Sequence, residues 1–409
     1  MRHVAAVTDI SPIPVGTRLV HIGLAKTGTT ALQSSLHNCR EALAEHGVEY
    51  AGTRRHSRTA ATAITFDQIP TGFPADAAKR WARLARSIRN SQADRLILSS
   101  EILAGITPSR AQKLVSDLGG SVQIVLTTRP LANILASRWQ QRVQEGQTRA
   151  YADWLHELFG TGRGGPGNPS FWERFDLARQ IARWGPIIGE ENITFVVLNP
   201  RDRSMLLHSF EGLLALPIGS LVPDSALTNP SLGYREIATL TAFNRAFVAS
   251  GRTRAEFLHA LRGKALVDLK TDPARSPSMR IATPRWAAEA ANEVVRPWIV
   301  ALRASDAQVI GDPEHLLVDP EDFEETSQAP TEIDTESAGE LAYLMYEAGV
   351  NYGEKQGLRA AKLGGDASRA AQASDERPHP LSRAASKVIG TLPDAVATRL
   401  ESPRGQFDR

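Results

Sequence analysis

The sequence predicts an α/β fold: a doubly wound parallel sheet flanked by helices, with further helices added toward the C-terminus. Short, continuous apolar runs recur at 18–23 (RLVHIG), 95–100 (RLILSS), 121–128 (SVQIVLTT) and 192–198 (NITFVVL), the mark of strands buried on both faces. Helical patterns separate these runs, as crossover helices do in a parallel sheet. The first run passes into a helix through a Gly/Thr-rich loop, at the strand end where such sheets place ligands.

Taken in order, the first strand leads through residues 23–30 into an apolar-periodic helix over 30–44. Residues 51–75 are rich in Thr, Arg, Gly and Pro and read as loop with short helical pieces, a composition that often lines sites. After the strand at 95–100, a helix follows Pro108 and another starts at Pro130, just past the strand at 121–128; proline suits a first helical turn. A helix-rich stretch over 171–184 precedes the strand at 192–198, and a helix covers 203–214. Further helices at 233–249, 252–265 and 283–303 are expected to pack on the sheet domain. The expected division is an extension over 1–16, a main domain over 17–323 and a C-terminal extension over 324–409, in which an acidic linker precedes one amphipathic helix at 335–362 and a mostly disordered remainder.

Composition narrows the function. The chain has 409 residues, 42% of them hydrophobic, enough for a sizeable core. Its 47 basic and 45 acidic residues leave a formal net charge of +2, too small a field to make nucleic acid the expected partner. Any anion site must therefore be local. The single cysteine, Cys39, excludes an intrachain disulfide and multi-cysteine metal modules, fits a reducing compartment, and reads as a packing residue. With no signal-like N-terminus and no run near the ~18 apolar residues of a membrane span, the expectation is a soluble, cytoplasmic protein.

The segment Gly23-Leu24-Ala25-Lys26-Thr27-Gly28-Thr29-Thr30 carries the chemistry. At a helix start, free N–H groups and the positive end of the dipole face any entering anion. Gly23 and Gly28 allow close wrapping, Thr27, Thr29 and Thr30 offer hydroxyls, and Lys26 adds a point charge. The loop is P-loop-like, keeping the glycine spacing of GxxxxGK[ST], but Thr29 stands where the lysine belongs and Lys26 has moved inside. Triphosphate chemistry needs a metal held by an acid at the end of a neighbouring strand, and neither LILSS nor VQIVLTT ends in Asp. The loop therefore reads as metal-free.

HIGLAKTGTTALQ resembles the 5'-phosphosulfate loop of the sulfotransferases that use 3'-phosphoadenosine 5'-phosphosulfate (PAPS), with their Lys-x-Gly-Thr-Thr core. Arg129 at the end of the strand at 121–128, with Ser137 eight residues on, matches the pair that grips the 3'-phosphate in that family. Asn229-Pro230-Ser231-Leu232 resembles a short family segment near the cofactor, and the run from Phe175 to Leu216 is similar to bacterial members. The resemblance spans roughly residues 17–320. It implies PAPS as co-substrate, adenosine 3',5'-bisphosphate as product, no metal, and a hydroxyl or amine acceptor such as a carbohydrate or glycolipid. Cofactor contacts are then expected from Ala25, Lys26, Thr27, Gly28, Thr29, Thr30, Arg129, Ser137 and Ser231.

Transfer also requires removal of the acceptor's proton. Glu101 follows the strand at 95–100, and members of the heparan N-sulfotransferase type carry a carboxylate nearer Ser99; alternation along a strand would keep Glu101 on the same face. His56, in the 51–75 segment, competes for the role. Arg54, Arg55 and Arg58 around it fit either an acidic acceptor or a solvated basic loop. Two rival functions share the loop and the sheet: a Mg-dependent nucleotide kinase or NTPase, and a catalytically inactive nucleotide-binding interaction protein.

Overall fold

The computed structural model describes residues 10–70, 73–160, 167–224, 232–253, 256–257, 280–326 and part of 335–357. Six strands, β1 (Thr17–His21), β2 (Val48–Tyr50), β3 (Arg95–Ser99), β4 (Ser121–Thr128), β5 (Ile193–Val197) and β6 (Gln308–Ile310), form one sheet in the order β2-β3-β1-β4-β5-β6. Every pairing is parallel. Thr17–His21 pairs on one side with Arg95–Ser99 and on the other with Ser121–Val125. The chain builds outward from β1 to the β2 edge, returns through β3, and then crosses to β4 and the opposite edge. The C-terminal end of β1 therefore lies where connections diverge, the crevice at which open α/β sheets accept ligands.

Side-chain alternation divides the core into two layers. Leu19, Ile97, Val125, Val196 and Ile310 face α1 (Thr29–Asn38), α2 (Arg40–Glu45) and α10 (Met205–Leu214). Val20, Leu96, Leu98, Ile124, Leu126 and Phe195 face the larger layer. There pack α3 (Arg58–Thr65), α4 (Ala77–Arg89), α5 (Pro108–Leu118), α6 (Ala132–Gln144), α7 (Tyr151–Phe159), α8 (Pro169–Phe175), α9 (Leu177–Ile188), α11 (Tyr234–Ala249) and α12 (Arg285–Ala304). Burial on both faces explains why the long strands are nearly unbroken apolar runs.

Several boundaries differ from the sequence expectation. The helix expected over 30–44 divides at Cys39, whose φ of −96° and ψ of 17° interrupt the helical geometry between α1 and α2. The short edge strands β2 and β6 and the helix α4 were not anticipated. Helix α4 is held by a stripe of Trp81, Leu84, Ala85 and Ile88, which its many arginines obscure in the sequence. Most of the helix expected at 252–265 lies outside the described residues. Described positions between 335 and 350 are helical, and Leu344 and Met345 pack against the larger core layer. Among the described residues no helix is long and apolar enough to cross a membrane.

Fully buried Phe210 joins this architecture to the end of β1, its ring standing edge-on to His21 with centroids 5.0 Å apart. Phe210→Ala is expected to lower unfolding free energy by about 3–5 kcal/mol, measured by denaturant titration. A loss below about 1 kcal/mol would show that the site end of β1 does not depend on this packing.

Candidate anion-binding site at the end of the central strand

Pairing between the β1 segment and β4 continues beyond the strand proper. Ile22 N–H donates to Val125 O (3.0 Å), Leu24 N–H to Thr127 O (2.7 Å), and Thr127 N–H to Gly23 O (3.0 Å). The chain then turns through positive φ at Gly23 (79°), Lys26 (72°) and Gly28 (86°). A left-handed lysine costs on the order of 1–2 kcal/mol, and the exposed Lys26 sits at the tip of this turn. At Gly23 a Cβ would lie 2.9 Å from the Cβ of Glu101, so glycine lets the loop abut the segment that carries this carboxylate.

Gly28 is the N-cap of α1, with no side-chain cap and no acidic residue in the first turn. The helical ladder opens with Leu32 N–H to Gly28 O at 3.1 Å, which leaves the N–H groups of Thr29, Thr30 and Ala31 without partners inside the helix. A positive helix end with no acidic residue in its own first turn is suited to an anion. The expected hydroxyls divide. Thr27 Oγ1 donates to Leu24 O (2.6 Å) and Thr29 Oγ1 to Leu24 O (3.3 Å), both from buried side chains, so these two hydroxyls staple the loop. Thr30 is exposed and Ala25 half-buried.

Beneath the loop runs a chain of hydrogen bonds, buried from Thr27 to Gln33, whose direction can be fixed. Thr27 donates to Leu24 O, so at the 2.6 Å contact between Thr127 Oγ1 and Thr27 Oγ1 the proton belongs to Thr127. Thr127 then accepts from His21 Nε2–H (3.2 Å). The other nitrogen of His21, Nδ1, accepts from Ser99 Oγ (2.8 Å), and Ser99 Oγ accepts from Gln33 Nε2 (3.1 Å). Gln33 Oε1 accepts from His56 Nδ1–H (2.6 Å), and His56 Nε2 accepts from Arg55 Nε–H (2.9 Å). Gln33 Nε2 also approaches Glu101 Oε2 at 3.5 Å. The two candidate bases, Glu101 and His56, thus meet on one glutamine. Sequence reasoning missed Gln33, which reads there as an ordinary helix residue.

Glu101 reaches this position by a route other than strand alternation. β3 ends at Ser99, Ser100 remains extended, and Glu101 opens a 3-10 turn, Glu101–Gly105. Both ring nitrogens of His56 are engaged, and desolvation, followed by the charge of Arg55, pulls its pKa below the usual imidazole value. The expected basic cluster disperses: Arg55 donates to His56 and to Ser34 Oγ (3.3 Å), Arg58 lies over Phe73 with its Cζ 5.7 Å from the ring centroid, and Arg54 is exposed.

Arg129 follows Thr127 by two residues, at the sheet edge that the loop shares. Its NH2 donates to Asn133 O (2.6 Å), while its Nε is inaccessible to solvent and has no hydrogen-bond partner among the described residues. Burial lowers its pKa from the usual guanidinium value. Half-buried Ser137 donates to Ile134 O (2.9 Å), a bond within its own helix. Ser231 lies outside the described residues, although Leu232 beside it is buried and its carbonyl accepts from Gln140 Nε2 (3.1 Å).

Complete burial holds the pKa of His21 at about 3 against 6.5 for free imidazole. The folded state therefore binds fewer protons than the unfolded state below pH 6.5, so this stabilisation is complete above that pH and is lost as pH falls toward about 3. The slope is about 1.4 kcal/mol per pH unit. His21→Asn is expected to reduce the loss of stability between pH 7 and pH 5, measured by denaturant titration; an unchanged slope would show that His21 takes up a proton in the folded protein.

No family model and no curated protein matches the chain. Among solved structures it is similar to a sulfotransferase from Alicyclobacillus acidocaldarius, at 20% identity over 59% of this chain and 94% of that one, with a TM-score of 0.33.

Proposed function

We propose that the chain is a sulfotransferase that moves a sulfuryl group from PAPS to a hydroxyl or amine of an acceptor, with carbohydrates and glycolipids as the acceptor classes to test first. The observation that carries this reading is the glycine-capped start of α1, bare of acidic residues, with exposed Lys26 at its mouth and the partly satisfied guanidinium of Arg129 on the same sheet edge. Such a set fits an anion held by backbone N–H groups, a lysine and an arginine without a metal. The HIGLAKTGTT motif adds the likeness to the PAPS loop.

In this reading the loop from Ala25 to Thr30 holds the 5'-phosphosulfate, while Arg129 and Ser137 hold the 3'-phosphate, Ser137 by rotating away from Ile134 O. Ser231 is assigned to the nucleotide by motif alone. PAPS supplies the activated sulfuryl group. Lys26 and the N–H groups of Thr29 and Thr30 stabilise negative charge growing on the leaving phosphate oxygen, an electrostatic role that needs no proton transfer.

Glu101 is assigned as general base, its carboxylate taking the acceptor's proton. The contact between its segment and Gly23 favours it, because that contact brings the carboxylate to the loop. His56 has a proton on Nδ1 and a guanidinium hydrogen bond on Nε2, so neither lone pair is open. His56 instead positions Gln33.

Calorimetric titration with adenosine 3',5'-bisphosphate in the presence of EDTA is expected to show binding, and Arg129→Ala to weaken it about 10- to 100-fold. Binding of ATP–Mg in preference would favour the kinase reading, and bisphosphate binding without transfer to any acceptor would favour an inactive relative. With a working acceptor, Glu101→Gln is expected to lower kcat about 10²- to 10⁴-fold while leaving bisphosphate affinity unchanged. A larger fall in kcat for His56→Asn than for Glu101→Gln would reverse the assignment of the base.

A further inference from the structure

We infer that Arg138, Arg142 and Arg174 form an anion subsite beside the Glu101–Gly105 turn, where the acceptor places an oxyanion of its own, a carboxylate or a sulfate ester. The inference rests on the sulfotransferase reading and on Glu101 as its base, and it supplies a substrate class for that site.

Arg138 and Arg142 stand one turn apart on α6, on a common face. Arg174 projects from α8 onto the turn: a Cβ at Gly105 would lie 2.7 Å from Arg174 Nε, so the absence of a side chain there lets the guanidinium rest on the backbone. The helix and the turn are locked together from below. Gln180 Nε2 donates to both Ala104 O and Arg174 O (2.9 Å each), and Arg183 NH1 donates to Ala104 O (2.9 Å). The backbone at Arg174 is therefore fixed relative to the Glu101–Gly105 turn, and its guanidinium feels the charge of Glu145 first, then those of Arg142 and Glu101. Arg138 feels Glu145, Arg174 and Arg142 in turn, which makes the three guanidiniums one electrostatic group.

Among the described residues the group has one acidic partner, Glu145, for its three guanidiniums. Arg142 pairs with Glu145 (NH1 to Oε2, 3.4 Å), but neither Arg138 nor Arg174 makes a side-chain hydrogen bond or ion pair with a described residue. Their guanidiniums instead lie over aromatic rings, Arg138 over Phe175 and Arg174 over Phe66, each with Cζ 5.9 Å from the centroid. Arg138 Nε is cut off from solvent, with no hydrogen-bond partner among the described residues. Burial draws the pKa of Arg138 down to about 10 and that of Arg174 below its usual value, and Arg138 stays charged at neutral pH.

Ring stacking holds Arg138 and Arg174 in place but does not require a charge at either position. An apolar side chain would fill the same space without a desolvated charge and without repulsion between neighbouring guanidiniums. An oxyanion entering the cluster relieves both, and guanidinium is the cation whose planar donors match carboxylate and sulfate. Arg174 rests on the turn that Glu101 opens, which favours the acceptor over the nucleotide as the ligand of the cluster.

The test compares the full chain with Arg138→Gln, Arg174→Gln and the charge-preserving Arg174→Lys, using glucuronate, sulfate and neutral glucose as probes. Thermal unfolding without nucleotide is expected to show stabilisation by glucuronate or by sulfate but not by glucose, and its loss in both glutamine variants. The responding probe separates a carboxylate from a sulfate ester. Without ligand the glutamine variants are expected to unfold at the parent temperature or above; a drop of several degrees would mark these arginines as packing residues and overturn the subsite. No response to either anion, or a response that survives in both glutamine variants, would also overturn it.

In transfer assays an acceptor bearing a glucuronate is expected to have a KM about 10- to 100-fold below that of its glucose analogue, a gap that Arg174→Gln closes and Arg174→Lys partly keeps. Affinity for adenosine 3',5'-bisphosphate should be the same in parent and variants. A loss of bisphosphate affinity in Arg138→Gln or Arg174→Gln would assign the cluster to the nucleotide and overturn the proposal. Failure of the parent to bind bisphosphate would refute the sulfotransferase reading, an outcome distinct from failure of the anion response.

Discussion

The geometry of the site depends on Thr127. Its N–H donates to Gly23 O, its carbonyl accepts from Leu24 N–H, and its hydroxyl lies between Thr27 Oγ1 and His21 Nε2. One residue of β4 thereby fixes the backbone of the loop, the inward turn of Thr27 and the tautomer of His21. Each hydrogen bond has a net worth of only about 0.5–1.5 kcal/mol, but leaving one of these buried groups unpaired costs about 1–3 kcal/mol. That asymmetry makes the loop conformation specific. It also sustains the left-handed backbone of Lys26, which local preference opposes.

The same chain of bonds joins the anion loop to the candidate bases. Each member has a single consistent proton assignment, from Thr27 through Thr127, His21, Ser99 and Gln33 to His56. A protonated His21 would have a donor where Ser99 now supplies one, so the hydrogen-bond chain requires the neutral imidazole, the form that burial also favours by lowering its pKa. Gln33 closes the sequence because an amide offers a donor and an acceptor together: its oxygen takes the His56 proton while its nitrogen serves Ser99 and approaches Glu101. A carboxylate at that position would lack the donor, and an apolar residue would break the chain.

Much of the scaffold was legible in the sequence because burial on both faces writes parallel strands as apolar runs, and four of the six observed strands are such runs. β2 and β6 were not, since three residues at a sheet edge leave too little pattern. The loop was legible because its glycines and lysine serve a local conformation. The polar network was not: Gln33, Ser99 and Thr127 are ordinary letters in apolar elements, and only the register of β1 against β3 and β4 brings them together. Arg138 and Arg174 were illegible for a related reason, since a solvated arginine and a desolvated one read alike until the packing of α6, α8 and the turn is known.

The charge distribution around Glu101 bears on how one carboxylate could serve as a base among so many cations. Positive charge favours the ionised form, and a carboxylate held too firmly in that form is a poor proton acceptor. Here the nearest hydrogen-bonding group is the neutral amide of Gln33, at the long distance of 3.5 Å, while Arg174 acts through space without a hydrogen bond to the carboxylate. Arg55, the cation that would otherwise reach the glutamine side of the site, donates instead to His56 Nε2 and to Ser34. The histidine thus stands between a guanidinium and the glutamine that meets Glu101. That placement leaves the carboxylate oriented by an amide, with no cation hydrogen-bonded to it among the described residues.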